Sequence, residues 1–337
     1  MKKPLKTLFY GMSHEHAPGK IASLAKLRDD FEVIAIADDS ARHSPTYHTD
    51  PFDVPPGCPV VSEAEALKLK DIDCVFVEVA NRDLMEIARI YAERGVPMHC
   101  DKPCGETMGP YREVVDLCRA KKVPLQIGYM YRANPAIKFM RKAVAAEWIG
   151  DVVFAEADMN HSYGNDSYQL YTGTMKGGIL YNLGCHLIDT LALFVKGDPV
   201  RATCVKGTAP GDPPEALNRM SAFIEFPGAE MLIRSCSRAP GGILCRRIRV
   251  DGTKGTFDLC PIERFDGGEL KLAMTLAEPA GDYAAGRHEI SFGVQTDRYA
   301  DQLRELAAIV RGEMPDTTDF DHDLRVHEIT LKATGVV

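Results

Sequence analysis

Three short stretches carry residues whose types and spacing could do chemistry. The first, Gly177 to Asp189, reads Gly-Gly-Ile-Leu-Tyr-Asn-Leu-Gly-Cys-His-Leu-Ile-Asp. Wound as a helix it sets Asn182 and His186 four residues apart on one face, with Asp189 three further along nearly the same stripe. Ile179, Leu180, Leu183, Leu187 and Ile188 cover the other sides, so the polar stripe meets either buried partners or a cleft. A neutral imidazole there suits general-base work near pH 7, and a core histidine satisfied by a neighbour is the plainer reading of the same pattern. Gly177, Gly178 and Gly184 each cost helix stability, which implies that something approaches the backbone closely. The second stretch is Asp101-Lys102-Pro103, directly after an apolar run. Pro103 keeps Lys102 out of helical conformation, so its ammonium stands at the end of a strand, placed to hydrogen-bond an oxygen that develops negative charge. The third is Gly11-Met12-Ser13-His14-Glu15-His16. A dinucleotide-binding turn would carry glycine at 11, 13 and 16, and only the first is present.

The elements that must position these residues follow from periodicity. Leu5–Tyr10 reads as a strand, Pro18–Leu27 as a helix, and Phe31–Asp38 as a second buried strand. Asp38 ends that strand where a carboxylate accepts hydrogen bonds from an adenosine ribose, which favours NAD and disfavours NADP; Arg42 nearby tempers this, and a turn aspartate is the plainer reading. The Pro, His, Asp and Thr-rich segment 40–59 reads as a long surface connection, and Ser62 with Glu65 as a capping box. Asp73–Val79 is a strand followed by Asn81, Asp83–Arg94 a helix closed by Gly95, Val96–Cys100 a strand, Pro110–Lys121 a helix capped by Thr107, and Pro124–Tyr129 a strand. This alternation predicts a doubly wound parallel sheet whose ligands lie beyond the carboxyl ends of its strands. Beyond it, residues 151–157, 200–207, 219–226, 229–235, 245–251, 256–260 and 269–275 are strand-like, and 297–311 and 320–334 are helical.

Composition narrows the partners. The 337 residues carry a net charge of -8, with 45% hydrophobic and 26% charged residues, enough for two domains with separate cores. The signs are interspersed, so neither nucleic acid nor an anionic membrane is an expected partner. The apolar run after Met-Lys-Lys-Pro-Leu-Lys is too short for an export signal or a membrane span. Ten cysteines without a Cys-x-x-Cys pair, several within apolar runs, read as buried thiols in a reducing cytoplasm. No metal site is expected: His14, His16, His43 and His48 lack an acidic or Cys partner at ligand spacing, and Cys100/Cys104 lack a second pair.

Taken in order, Asn81, Asp101-Lys102-Pro103, Arg132-Ala-Asn-Pro135, Gly150-Asp-Val152, Gly-Gly-x-x-x-Asn-x-Gly-x-His at 177–186 and Gly252-Thr-Lys-Gly255 resemble the Gfo/Idh/MocA family of NAD(P)-dependent oxidoreductases along nearly the whole chain. The resemblance implies an α/β chain: a Rossmann domain over 1–125 and an α+β domain over 126–337 with an open, mostly antiparallel sheet. It implies NAD near Gly11, Ser13, His14, Asp38, Asn81, Asp101 and Lys102. It also implies that Lys102, His186 and position 182 surround the substrate carbon, with aspartate expected at 182 where this chain has Asn182. An amide orients a hydroxyl or an imidazole but takes no proton. Ser13 is read as hydrogen-bonding the pyrophosphate and His14 or His16 as leaning on it, with obstruction of the pyrophosphate by these side chains as the alternative, and Asp189 as an electrostatic substitute for the missing aspartate. The loop 161–171, with Tyr163, Asn165 and Tyr168, is expected to hold substrate together with Tyr131, Arg132 and Asp189. Polar aromatics at this density suit a sugar or cyclic polyol. Two rivals stay open: a redox-neutral enzyme whose tightly bound NAD assists elimination or glycoside cleavage, and a non-catalytic nucleotide-binding module. The strands at 220–226 and 229–234 are apolar at more positions than alternation requires, which predicts an apolar outer sheet face buried in a homodimer or homotetramer, with Ile224 or Leu232 on it.

Overall fold

The computed structural model describes residues 3–42, 52–162 and 166–337. The chain divides into two units, one of Met1–Tyr129 with Tyr299–Leu324, the other of Met130–Arg298 with Arg325–Val337.

In the first unit, strands β1 (Leu5–Tyr10), β2 (Phe31–Asp38), β3 (Val60–Ser62), β4 (Cys74–Val77), β5 (Met98–Cys100) and β6 (Leu125–Ile127) form one parallel sheet in the order β3-β2-β1-β4-β5-β6. Helices α1 (Ala17–Lys26), α2 (Glu63–Ala66), α3 (Leu84–Arg94) and α4 (Met108–Lys121) alternate with the strands. Continuous apolar runs become buried parallel strands because helices cover both faces; every residue of β4 is buried. Gly95 ends α3 in the left-handed region, and the Ser62/Glu65 capping box starts α2. The three-residue edge strand β3 lies outside the elements the sequence announces, since it is too short to show a period. Strand order reverses between β1 and β4, so their carboxyl ends open the crevice in which such sheets bind ligands.

In the second unit, α5 (Pro135–Ala145) is capped by Asn134, whose side-chain oxygen accepts from the amides of Ala136 and Ile137 at 2.9 and 3.3 Å. Eight strands follow: β7 (Val152–Asn160), β8 (Arg201–Val205), β9 (Arg219–Phe226), β10 (Ala229–Cys236), β11 (Arg247–Gly252), β12 (Gly255–Leu259), β13 (Glu269–Leu276) and β14 (Gly286–Val294). They order as β14-β13-β12-β11-β7-β10-β9-β8, antiparallel throughout except for β7 and β10. The edge strand β14 is missing from the sequence reading because its apolar residues are diluted by Arg, His, Glu, Ser and Gly. Helices α6 (Asp166–Gly173), α7 (Gly178–Asn182) and α8 (Gly184–Ala192) follow β7, with α7 on β9 and β10 and α8 on β7 and β10. Two more close the chain, α9 (Ala300–Val310) within the first unit and α10 (Phe320–Ala333).

Two expectations are corrected here. The stretch 177–189 is not one helix: α7 ends at Asn182 and α8 begins at Gly184, with Leu183 at the junction. The outer sheet face is not a broad apolar surface either. Strands β9 and β10 alternate strictly, so Ile224 is fully buried and Leu232 is half-buried on the outer face. Around Leu232 and Phe223 that face carries ion pairs: Arg234 with Asp158 at 2.6 Å, Arg247 with Asp258 at 2.7 Å, and Arg249 with Asp251 at 3.0 Å. The apolar surplus in the sequence belongs to half-buried positions between charges.

Candidate active site

The turn after β1 is built around Gly11, whose φ is +98° and where an added Cβ would lie 2.7 Å from Val79 Cγ1. Only glycine meets both demands. The four residues that follow reach other loops. Ser13 donates its hydroxyl to Asp39, whose carboxylate also accepts the amide of Met12 at 2.9 Å. His14 donates from Nε2 to the carbonyl of Lys102 at 2.9 Å and accepts the amide of His16 at Nδ1. Glu15 accepts from Lys102 Nζ at 2.9 Å. His16 Nδ1 lies 3.2 Å from both oxygens of Asp101. Ser13 and His14, read from sequence as phosphate contacts, are thus buried and turned to the protein. The carboxylate that fixes the turn is Asp39; Asp38, expected at the ribose, accepts the amide of Ser40 at Oδ1 at 2.9 Å. Arg42 is tied to Glu63 at 2.7 Å and Glu86 at 3.2 Å.

Lys102 is wholly buried. Its amide donates to Asp101 Oδ1 at 2.7 Å, and its carbonyl accepts from Asn81 Nδ2 at 3.2 Å in addition to His14. Beneath it the Lys20 ammonium lies on both Asp101 and Glu78, with Glu78 Oε1 at 2.9 Å. Asp101 and Glu78 share this one cation, and burial separates their titrations. Burial, reinforced by Asp101, raises Glu78 well above the carboxylate range despite Lys20. Burial also opposes the charge of Asp101, but His14, Lys20 and His16 outweigh it and hold Asp101 well below that range. Glu78 also faces His99, whose Nδ1 donates to Gln126 at 2.9 Å and whose Nε2 lies 3.9 Å from Glu78. Burial keeps the histidines neutral, pushing His16 and His99 down to about 3 and lowering His14. The donor atoms of His14, His16 and Asp101, and of Glu78, His99 and Asp101, lie close enough to ligate a metal. Lys20 already supplies a cation to these carboxylates. Sequence reasoning gave no role to Lys20, Glu78 and His99; the available signal was a polar residue on the buried side of α1, directly after β4 and within β5.

In the second unit, His186 is 2% exposed in α8, and its ring stands 5.6 Å from that of Tyr131. Asn182 donates from Nδ2 to the hydroxyl of Tyr168 at 3.2 Å. Asp189 is gripped by Arg132, with Nε at 2.9 and 3.1 Å from its two oxygens, so its charge is engaged by a guanidinium. The Tyr131 hydroxyl donates to Glu263 at 3.0 Å. Glu263 in turn pairs with buried Arg246 and, at 2.8 Å, with Arg298. Arg246 also lies 2.6 Å from a ring nitrogen of His161. The Arg246–Glu263–Arg298 group was not found in the sequence, because its members come from separate strands and turns. Tyr163 and Asn165 lie outside the described residues. The motif glycines serve packing: Gly178, at φ +51°, would drive a Cβ to 2.5 Å from Leu217 Cβ. What approaches the helix backbone is protein.

The family comparison agrees with this architecture. Residues 9–129 match the NAD-binding Rossmann fold of an oxidoreductase family model, and residues 137–258 match a GFO/IDH/MocA C-terminal domain. The chain belongs to the Gfo/Idh/MocA oxidoreductases. Its Gfo/Idh/MocA relatives include D-xylose 1-dehydrogenase (NADP(+)) 2 of Haloferax volcanii, 26% identical over 89% of this chain and 84% of that protein. The rhizopine catabolism protein MocA of Rhizobium meliloti is 26% identical over 57% of this chain. The chain spans 60% of the length of that protein and 35% of that of a D-apiose dehydrogenase. Among solved structures, levoglucosan dehydrogenase in complex with NADH and levoglucosan superposes with a TM-score of 0.77 at 18% identity, covering 98% of each chain. Aldose-aldose oxidoreductase from Caulobacter crescentus gives 0.75 at 18% identity, covering 99% of this chain and 98% of that one. Among the described residues no helix is long and apolar enough to cross a membrane.

Proposed function

We propose that this chain oxidises a secondary alcohol of a sugar or cyclic polyol with NAD as cofactor. The observation that carries the reading is the fixing of Lys102 at the carboxyl edge of the parallel sheet, its backbone held at both N–H and C=O and its Nζ on Glu15. The cradle at Gly11 and the ribose-side carboxylate of Asp38 fit a dinucleotide, and the engagement of Arg42 by Glu63 and Glu86 favours NAD over NADP. When bound, the nicotinamide supplies the hydride acceptor. The chain supplies the rest: Lys102 Nζ hydrogen-bonds the alcohol oxygen as its charge grows, and an imidazole nitrogen of His186 takes the hydroxyl proton. Asn182, on Tyr168, orients without titrating. Tyr131, Arg132, Tyr163, Asn165, Tyr168 and Asp189 form the substrate side of the assignment, and relatives named for action on sugars support that class. For assembly, the outer face of the second sheet, with its paired charges around Leu232, is the surface we assign to a second copy in a homodimer or homotetramer. The test is incubation with NAD and a panel of sugars and polyols while NADH is followed. Net accumulation supports the proposal. Conversion of a substrate without net NADH would move the chain to the redox-neutral class, and absence of binding to NAD, NADH and NADP by calorimetry would defeat both.

A further inference from the structure

The nucleotide turn, which lacks glycine at 13 and 16, carries three consecutive side chains with one shared target. Of the four consecutive residues 13–16, three contact the Asp101-Lys102 pair: His14 on the Lys102 carbonyl, Glu15 on its ammonium, and His16 on the Asp101 carboxylate. Glycines at 13 and 16 would supply close backbone approach and no grip; here the same turn holds the motif lysine from two sides.

We infer that Glu15 is a positioning residue for Lys102: its carboxylate fixes the direction of Nζ and favours its ammonium form. The inference rests on the dehydrogenase reading above. The geometry favours Glu15 for the task. Its Oε1 is 2.9 Å from Nζ, the Lys102 side chain is fully shielded, and the Glu15 side chain is only 9% exposed, so the attraction is little screened. The other charged or titratable groups around this loop are His14, His16, Lys20, Glu78 and Asp101. Asp101 and Glu78 are already matched to Lys20, and the histidines are neutral, which leaves Glu15 as the carboxylate bonded to Nζ. A lysine so held presents a fixed donor to an alcohol oxygen, and loss of that direction costs rate more than binding.

The test compares Glu15→Gln and Glu15→Asp with the unaltered chain. Glu15→Gln keeps the shape and loses the charge. We expect kcat to fall about 10–100-fold, KM for NAD to stay within a few-fold, and the alkaline limb of the kcat profile to move to lower pH. Glu15→Asp should recover part of the rate and return the limb toward its original position. Independently of turnover, protein labelled with 13C at lysine Cε, with the Lys102 signal assigned by its loss in Lys102→Arg, should show that signal titrating at lower pH in Glu15→Gln. An unmoved signal and an unmoved limb would overturn the inference, as would equal losses in Gln and Asp variants with no change in profile. A moved Lys102 signal in a chain that oxidises no alcohol would uphold the ion pair and defeat the dehydrogenase reading instead.

Discussion

Lys102 and His186, one in each unit, are held by opposite means. Lys102 sits in a polar network to which the ends of β1, β4 and β5 contribute charges or hydrogen bonds: Glu78, Asn81, Asp101 and the turn 14–16. His186 sits in a helix buried on all sides, against the Tyr131 ring, over a sheet face of Met, Ile and Ala. The difference teaches which kind of substitution each region tolerates. The first is sensitive to removal of charge; the second is sensitive to expansion, because its nine α8 residues are all buried.

The comparison can be broken first at its two centres. Lys102→Ala and His186→Ala should each lower kcat by about two to four decades with NAD affinity within a few-fold, measured by steady-state kinetics and calorimetry. Near-normal kcat in His186→Ala would remove it from the mechanism. The next effect is on stability. Lys20→Met leaves Asp101 buried without its cation, which should cost about 3–5 kcal/mol in denaturant unfolding. Arg132→Met, at the corresponding pair in the second unit, should cost less, because that guanidinium is partly exposed. Equal losses would dissolve the contrast between the units.

Acid sensitivity is a second effect on stability. His14, His16 and His99 are held neutral by burial, with folded values below the unfolded one near 6.5. Below about pH 6.5 the unfolded chain therefore binds protons that the folded chain does not. The stability these histidines contribute is complete above that pH and is lost as pH falls toward about 3 for His16 and His99. Each contributes about 1.4 kcal/mol per pH unit in that window. Urea unfolding at pH 7 and pH 5 should show the loss, and His99→Gln should reduce it. The smallest expected change is at position 182. Asn182→Asp should shift the pH optimum modestly if the amide is a passive substitute for the carboxylate; a purely deleterious effect would mean that the amide reads a substrate group.

Much of the fold was legible because its signals are local. The first sheet announces itself through apolar runs separated by capped helices, and β9 has the bounds of the strand-like stretch 219–226. The edge strands β3 and β14 were not legible, one for length and the other for composition. Within the site, Lys102 and His186 could be named from motifs, whereas their supports could not. Lys20, Glu78 and Asp101 are far apart in sequence and become one group only when parallel strands bring their ends together. The motif glycines invited a ligand interpretation because cost alone does not say what approaches; at Gly178 it is Leu217. The break at Leu183 is likewise invisible to a periodic reading, since it is a junction of one residue between two short helices.

The central claim is hydride transfer from an alcohol carbon, and isotope tracing tests it most directly. A sugar or polyol active in the NADH screen, deuterated at its carbinol positions, would be incubated with the enzyme and NAD and the nicotinamide product examined by mass spectrometry. The account predicts deuterium on the recovered NADH, with transfer lost in Lys102→Ala and His186→Ala. NADH formed without deuterium, or transfer undiminished in both variants, would contradict it.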